Sequence, residues 1–222
     1  MGRPGLKYVD SDPGASPETP VFVVFHGYGA DMHDLAPIAS EIALPRPLRW
    51  IFPDAPLSLN PGRMWFSIDI EGLERAQQTG EPWEISQRVP PELEDTRAQV
   101  FDFLASLGVP WSRLILGGFS QGAMLAVDLS LRSPEPPRGL VILSGSLIDE
   151  NGWKALAPRR AGLPFFQSHG SADPILPYRG ARALEALLKG AGLKGEMLRF
   201  ENGHAITPEV IQGLTRFLGA LL

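Results

Sequence analysis

Two apolar rhythms alternate along this chain. Short unbroken runs, Val21-Phe22-Val23-Val24-Phe25 and residues 48–52, 113–116, 139–143, 164–167 and 196–200, predict strands. Dense β-branched and aromatic runs of this length suit strands covered on both faces. Residues 6–10 predict a short edge strand. Between the runs the apolar spacing turns helical. Leu35, Ile38, Ala39 and Ile42 predict a helix over residues 32–43. Leu93, Val100, Phe103, Leu104 and Leu107 predict another, opened by Pro90-Pro91 and stopped by Gly108. Residues 121–132 are apolar nearly all round and predict a covered central helix. Two more helices are expected, from near Pro177 and over 207–221.

Strand and helix alternate throughout, which predicts one α/β domain over residues 1–222. Its sheet is mainly parallel, with helices on both faces and no large cap. The residues after Ser144-Gly145-Ser146 read as a loop. Residues 57–90 differ from the rest. Leu57, Leu59, Met64, Trp65, Phe66, Ile68, Ile70, Trp83 and Ile85 lie among glycines, prolines and charges without a long period. This is read as a surface excursion that suits an acyl-binding wall; a dimer contact and ordinary core are the other readings.

Composition narrows the function classes. A net charge of −5, with Arg159-Arg160 the tightest basic cluster, argues against nucleic acid. There is no cysteine, so thiol catalysis and thiolate metal sites are excluded. No apolar run reaches a membrane span. The first residues lack an apolar signal core, and a cytoplasmic location is expected.

The chemistry gathers after strands. Gly118-Phe119-Ser120-Gln121-Gly122 is G-x-S-x-G with a strand before it and a helix after it, the context of an exposed nucleophilic serine. A serine hydroxyl needs a base, and a neutral imidazole suits that task. Of four histidines, His33 lies in a predicted helix, and His26 and His169 precede glycines at strand ends and read as structural. His204 follows the last strand and is the expected base. Asp173, after the fifth strand, is the expected acid that fixes the imidazole. Asp149 is its rival, and Asp54 fits the chain order badly. The order Ser120, Asp173, His204 is that of the α/β-hydrolase fold. Two backbone N–H groups are expected to hold the oxyanion: that of Gln121, at a helix start, and that of Tyr28, in the glycine-rich loop His26-Gly27-Tyr28-Gly29.

These segments, with Pro53-Asp54-Ala55-Pro56, Arg63-Met64-Trp65-Phe66 and His169-Gly170-Ser171-Ala172-Asp173-Pro174-Ile175-Leu176-Pro177, resemble the phospholipase/carboxylesterase family of α/β hydrolases. That family includes bacterial carboxylesterases and acyl-protein thioesterases. The resemblance implies a minimal α/β hydrolase acting on esters or thioesters, with Ser120, Asp173 and His204 as triad and Tyr28 and Gln121 as oxyanion donors. It puts Trp65 in the acyl site, with Met64, Phe66 and Gly29 as further substrate contacts. Tyr28 stands where leucine is common in the family, and Ser67-Ile68 separate the Trp-Phe pair from Asp69.

The leading expectation is therefore a serine carboxylesterase working through an acyl-enzyme. It needs no metal or organic cofactor: H-E-x-x-H, a P-loop and a dinucleotide loop are all missing. Acyl-protein thioesterase and lysophospholipase are the alternatives within enzymes. From another class comes a catalytically silent binding protein, although a decayed hydrolase usually lacks a triad member and none is missing here.

Overall fold

A computed structural model describes residues 5–79 and 84–222; Trp83 of the excursion lies outside the described residues. The main sheet has seven strands: β1 (Tyr8–Asp10), β2 (Val21–Phe25), β3 (Arg49–Pro53), β6 (Leu114–Phe119), β7 (Gly139–Leu143), β8 (Pro164–Gly170) and β9 (Lys194–Phe200). Their spatial order is β1-β3-β2-β6-β7-β8-β9, with β1 antiparallel and the rest parallel. The chain leaves β2 in one direction along the sheet and returns past it to β6. That reversal opens a crevice at the carboxyl ends of β2 and β6, where ligands bind in such sheets.

Alternation explains the unbroken apolar runs. Val21, Val23 and Phe25 of β2 face one cluster, with Leu114, Leu116, Leu140 and Ile142. Phe22 and Val24 face the other, with Ile115, Val141 and Leu143. Helices α3 (Leu93–Ser106), α4 (Gln121–Arg132), α5 (Glu150–Leu156) and α6 (Tyr178–Gly190) cover the first face, and α7 (Pro208–Leu221) covers the second. α4 buries almost its whole length, as its all-round apolar sequence requires.

Three local expectations are corrected. The helix predicted over 32–43 shrinks to α1 (Ile38–Glu41). Asp31 Oδ1 accepts the His33 N–H at 2.8 Å and starts a run of turns. Pro37 then has no N–H to continue a helix and disfavours helical backbone before it. Leu35 and Ile42 still reach the core. The stretch after β7 is not all loop: Asp149 caps α5 by accepting the Gly152 N–H at 3.2 Å. The excursion is also structured. It forms a small hairpin of β4 (Leu57–Ser58) and β5 (Arg63–Met64), then α2 (Ile70–Thr79).

A charged network ties the first face together. Asp128 on α4 is fully buried. It accepts from Arg97 Nε of α3 at 2.6 Å, from Arg132 Nε at 2.9 Å and from the Trp153 indole of α5 at 3.0 Å. Arg132 continues to Asp149 at 2.7 Å. Among the described residues, no helix is long and apolar enough to cross a membrane.

Removing one member of a buried charge network strands its partners. Asp128→Ala is expected to lower the unfolding free energy by about 3 kcal/mol. Urea denaturation measures it; a change below about 0.5 kcal/mol, typical of open surface, would contradict this account.

Candidate active site

Strand β6 ends at Phe119 and α4 begins at Gln121, leaving Ser120 alone in the turn. Its backbone sits at φ 55°, a region that side chains other than glycine rarely adopt. The surroundings hold it there. The Ser120 N–H donates to Leu143 O at 2.8 Å, and its carbonyl accepts the first helical N–H groups of α4. A Cβ on Gly118 would lie 2.5 Å from the carbonyl oxygen of Phe25, and one on Gly122 would overlap the carbonyls of Phe25 and His26. Glycine at both positions lets the turn lie against the end of β2.

Asp173 follows β8 and His204 follows β9. The two loops meet because Gly170 has no side chain: a Cβ there would collide with the carbonyls of Asn202 and Gly203. His204 Nδ1 lies 2.6 Å from Asp173 Oδ2. Asp173 Oδ1 accepts the N–H groups of Ile175 and Leu176 at 2.8 and 2.9 Å. His169 Nε2 stands 3.3 Å from Oδ2 while it donates to Leu176 O at 2.8 Å. Burial pushes the Asp173 pKa up, but hydrogen bonds from His169, His204 and the Leu176 backbone outweigh it and hold the carboxyl below its ordinary range. The rival Asp149 is engaged elsewhere, with Arg132 and the start of α5. With Nδ1 of His204 turned to a carboxylate, Nε2 is the nitrogen left for other chemistry. The ring packs on Phe119, centroids 4.8 Å apart.

Ser120 and His204 line one cavity of about 300 Å³, together with Gly27, Tyr28 and Gln121. Among the described residues, no backbone or side-chain acceptor meets the N–H of Tyr28 or of Gln121. The rest of the wall is mainly apolar. Phe66, Ile68, Ile70, Leu73 and Ile85 come from the excursion and α2, Met124 from α4, and Ile148, Ile175 and Leu176 from loops. Asp69 and Arg88, paired at 2.5 Å, bring charge to it. Met124, on the covered helix, carries no sequence signal for this place, whereas Ile175 and Leu176 stand within the motif that begins at His169.

Of the four expected substrate contacts, Phe66 lines the cavity and Trp65, Met64 and Gly29 do not. Trp65 is fully buried behind the loop after β2. Its indole N–H donates to His26 O at 2.9 Å, its backbone N–H to Gln121 Oε1 at 2.8 Å, and its carbonyl accepts from Thr96 Oγ1 at 2.6 Å. An indole with its N–H paired and its ring packed perpendicular to Phe25 belongs to the scaffold. The Gly29 N–H is likewise taken, by Arg63 O at 2.8 Å. His33 is exposed, and His26 is buried and bonded to backbone on both nitrogens. Among the described residues, no three His, Asp or Glu are grouped to hold a metal ion.

A family model described as Phospholipase/Carboxylesterase matches residues 9–222. The chain is 28% identical over 229 residues to an acyl-protein thioesterase 1 of Eremothecium gossypii, covering 94% of this chain and 90% of that one. It is 30% identical over 225 residues to an acyl-protein thioesterase 1 of Mycosarcoma maydis, covering 92% of each. A crystal structure of esterase PE8 superposes with a TM-score of 0.79 at 26% identity, covering 98% of this chain and 99% of that one.

A carboxylate held below its ordinary pKa adds stability that is complete above about pH 4 and is lost as pH falls toward the folded value. Wild-type protein is therefore expected to exceed Asp173→Asn in urea stability at neutral pH, and the gap should close from about pH 4 downward. A gap unchanged over that range would show that Asp173 is not held ionised by its neighbours.

Proposed function

The chain belongs to the phospholipase/carboxylesterase family, and on that premise we propose that it hydrolyses carboxylic esters through an acyl-enzyme on Ser120. The observation that carries this reading is the 2.6 Å contact of His204 with Asp173 beside a cavity that Ser120 and His204 share.

The steps follow from the groups present. Ser120 Oγ attacks the substrate carbonyl as His204 Nε2 takes its proton. Asp173 accepts the Nδ1–H, fixing the tautomer and stabilising the imidazolium. The oxygen of the tetrahedral intermediate turns to the free N–H groups of Tyr28 and Gln121; the second stands at the positive end of α4. The imidazolium returns its proton to the leaving alcohol. Water then attacks the acyl-enzyme by the same route and frees the acid. Every step is proton transfer or acyl transfer by side chains and backbone.

The apolar wall suits the acyl group. A volume near 300 Å³ is at the small end of ligand pockets, which run from about 300 to 1,000 Å³, and this favours short and medium acyl chains. A thioester is the second reading, because the curated relatives described above are named acyl-protein thioesterases. The same groups serve both substrates, since the attacked carbonyl and the developing oxyanion are alike.

A fluorophosphonate probe is expected to add mass at Ser120, and Ser120→Ala to abolish both labelling and turnover with the fold intact. Asp173→Asn should cut turnover by up to about 10⁴-fold through the wrong imidazole tautomer. A panel of p-nitrophenyl esters and acyl thioesters of increasing length gives the preference. Failure of folded wild-type protein to label would sink the proposal; a strong thioester preference would select the second reading.

A further inference from the structure

His26 takes no part in these proton transfers, yet both its ring nitrogens are engaged. Nδ1 lies 2.8 Å from the carbonyl oxygen of Gly27, and Nε2 accepts the Ala55 N–H at 3.1 Å. A carbonyl only accepts and an N–H only donates, so the ring is neutral with its proton on Nδ1. Burial dominates its surroundings and pushes its pKa below the ordinary histidine value, which keeps it uncharged. Asp54 Oδ1, 3.7 Å from Nε2, is too distant to compete for that nitrogen.

The carbonyl of Gly27 and the N–H of Tyr28 belong to one planar peptide unit and point in opposite directions. A donor that holds the carbonyl inward therefore turns the N–H away from it, toward the cavity that Gly27 and Tyr28 line. The preceding peptide is pinned too, since His26 O accepts the Trp65 indole N–H at 2.9 Å. The loop needs such pinning. Gly27 lacks a side chain and Gly29 sits at φ 79°, so hydrogen bonds alone fix the backbone here: the Gly27 carbonyl also accepts the Ala30 N–H, at a longer 3.3 Å than the His26 contact, and the Gly29 N–H donates to Arg63 O at 2.8 Å.

We propose that His26 is a positioning residue for the oxyanion donor: by holding the carbonyl of Gly27, its Nδ1–H sets the direction of the Tyr28 N–H. This rests on the reading of Ser120 as nucleophile and the Tyr28 N–H as oxyanion donor. His26 itself touches no reacting atom. Its hydrogen bond also polarises the peptide, which strengthens the N–H as a donor. The bond to Ala55 is the separate, structural half of the residue.

Two substitutions separate those halves. His26→Asn keeps an amide N–H near the place of Nδ1–H and loses the acceptor for Ala55. His26→Gln keeps an acceptor that reaches Ala55 and loses the donor to Gly27. The expected result is a kcat about 10–100-fold lower in His26→Gln with KM within about twofold, and a kcat within about fivefold of wild type in His26→Asn. Affinity for a trifluoromethyl ketone, which mimics the tetrahedral oxyanion, should fall in parallel with kcat. Equal losses in the two variants, or a loss confined to KM, would overturn the inference. Should His26→Asn not fold, His26→Gln alone decides by its division between kcat and KM. Fluorophosphonate labelling of wild-type protein is run alongside. No label at Ser120 overturns the functional reading and this inference with it; a labelled Ser120 with indistinguishable Asn and Gln variants overturns only the inference.

Discussion

The site depends on one close approach of backbone to backbone. Strands β2 and β6 run parallel in register, with Phe25 opposite Gly118, and the turn after β6 presses on the carbonyls of Phe25 and His26. No side chain fits at Gly118 or Gly122 in that arrangement. The contact sets the loop after β2 beside Ser120, so Tyr28 and Gln121 border one cavity with it. It also accounts for the backbone of Ser120: a strand that must turn sharply into a helix leaves its middle residue at positive φ. The cost of that conformation is of order 1–3 kcal/mol, offset by the core that grips both flanking elements.

The excursion completes the site from behind. Gln121 lines the cavity while its side chain reaches the excursion. Its amide accepts from the Trp65 N–H at 2.8 Å and donates to Phe66 O at 2.7 Å. The residue after the serine thus fastens the hairpin segment to the turn, and the hairpin fastens the loop after β2 through Trp65 and Arg63. The cavity wall and the loop after β2 are held by one continuous set of hydrogen bonds. That leaves Phe66 and the start of α2 free to face the cavity while Trp65 is sealed beneath it.

Two buried carboxylates show how the same group serves different ends. Asp128 is answered by two arginines and an indole, all held by packed helices, and binds elements to one another. Asp173 is answered by backbone N–H groups and by imidazoles, one of them at the edge of the cavity. A guanidinium keeps its charge at any working pH, whereas an imidazole can take up or release a proton there. The first arrangement is static; the second can pass a proton.

Much was legible in the sequence because its signals are local. Unbroken apolar runs marked the strands, and the positions just after them marked the cavity rim, since a parallel sheet brings its strand ends to one side. The motif around Ser120 and the loops of Asp173 and His204 could be read for the same reason, and so could the family resemblance. What the sequence could not supply were quantities set by distant partners. A helix over 32–43 looked sound by spacing, but Pro37 and the Asp31 turn break it, and Leu35 and Ile42 reach the core without it. The family resemblance puts Trp65 in the acyl site, but its indole is satisfied by His26 and buried on Phe25, partners dozens of residues away. Chain order favours Asp173 over Asp149 as the partner of His204, but the 2.6 Å contact itself, and the Arg132 bond that occupies Asp149, are set by packing. The chain alone determined where chemistry can stand, because strand ends and glycine turns are written in neighbouring residues. The tertiary structure decided which side chains face the cavity and which hold it, because burial and hydrogen-bond partners belong to the packed whole.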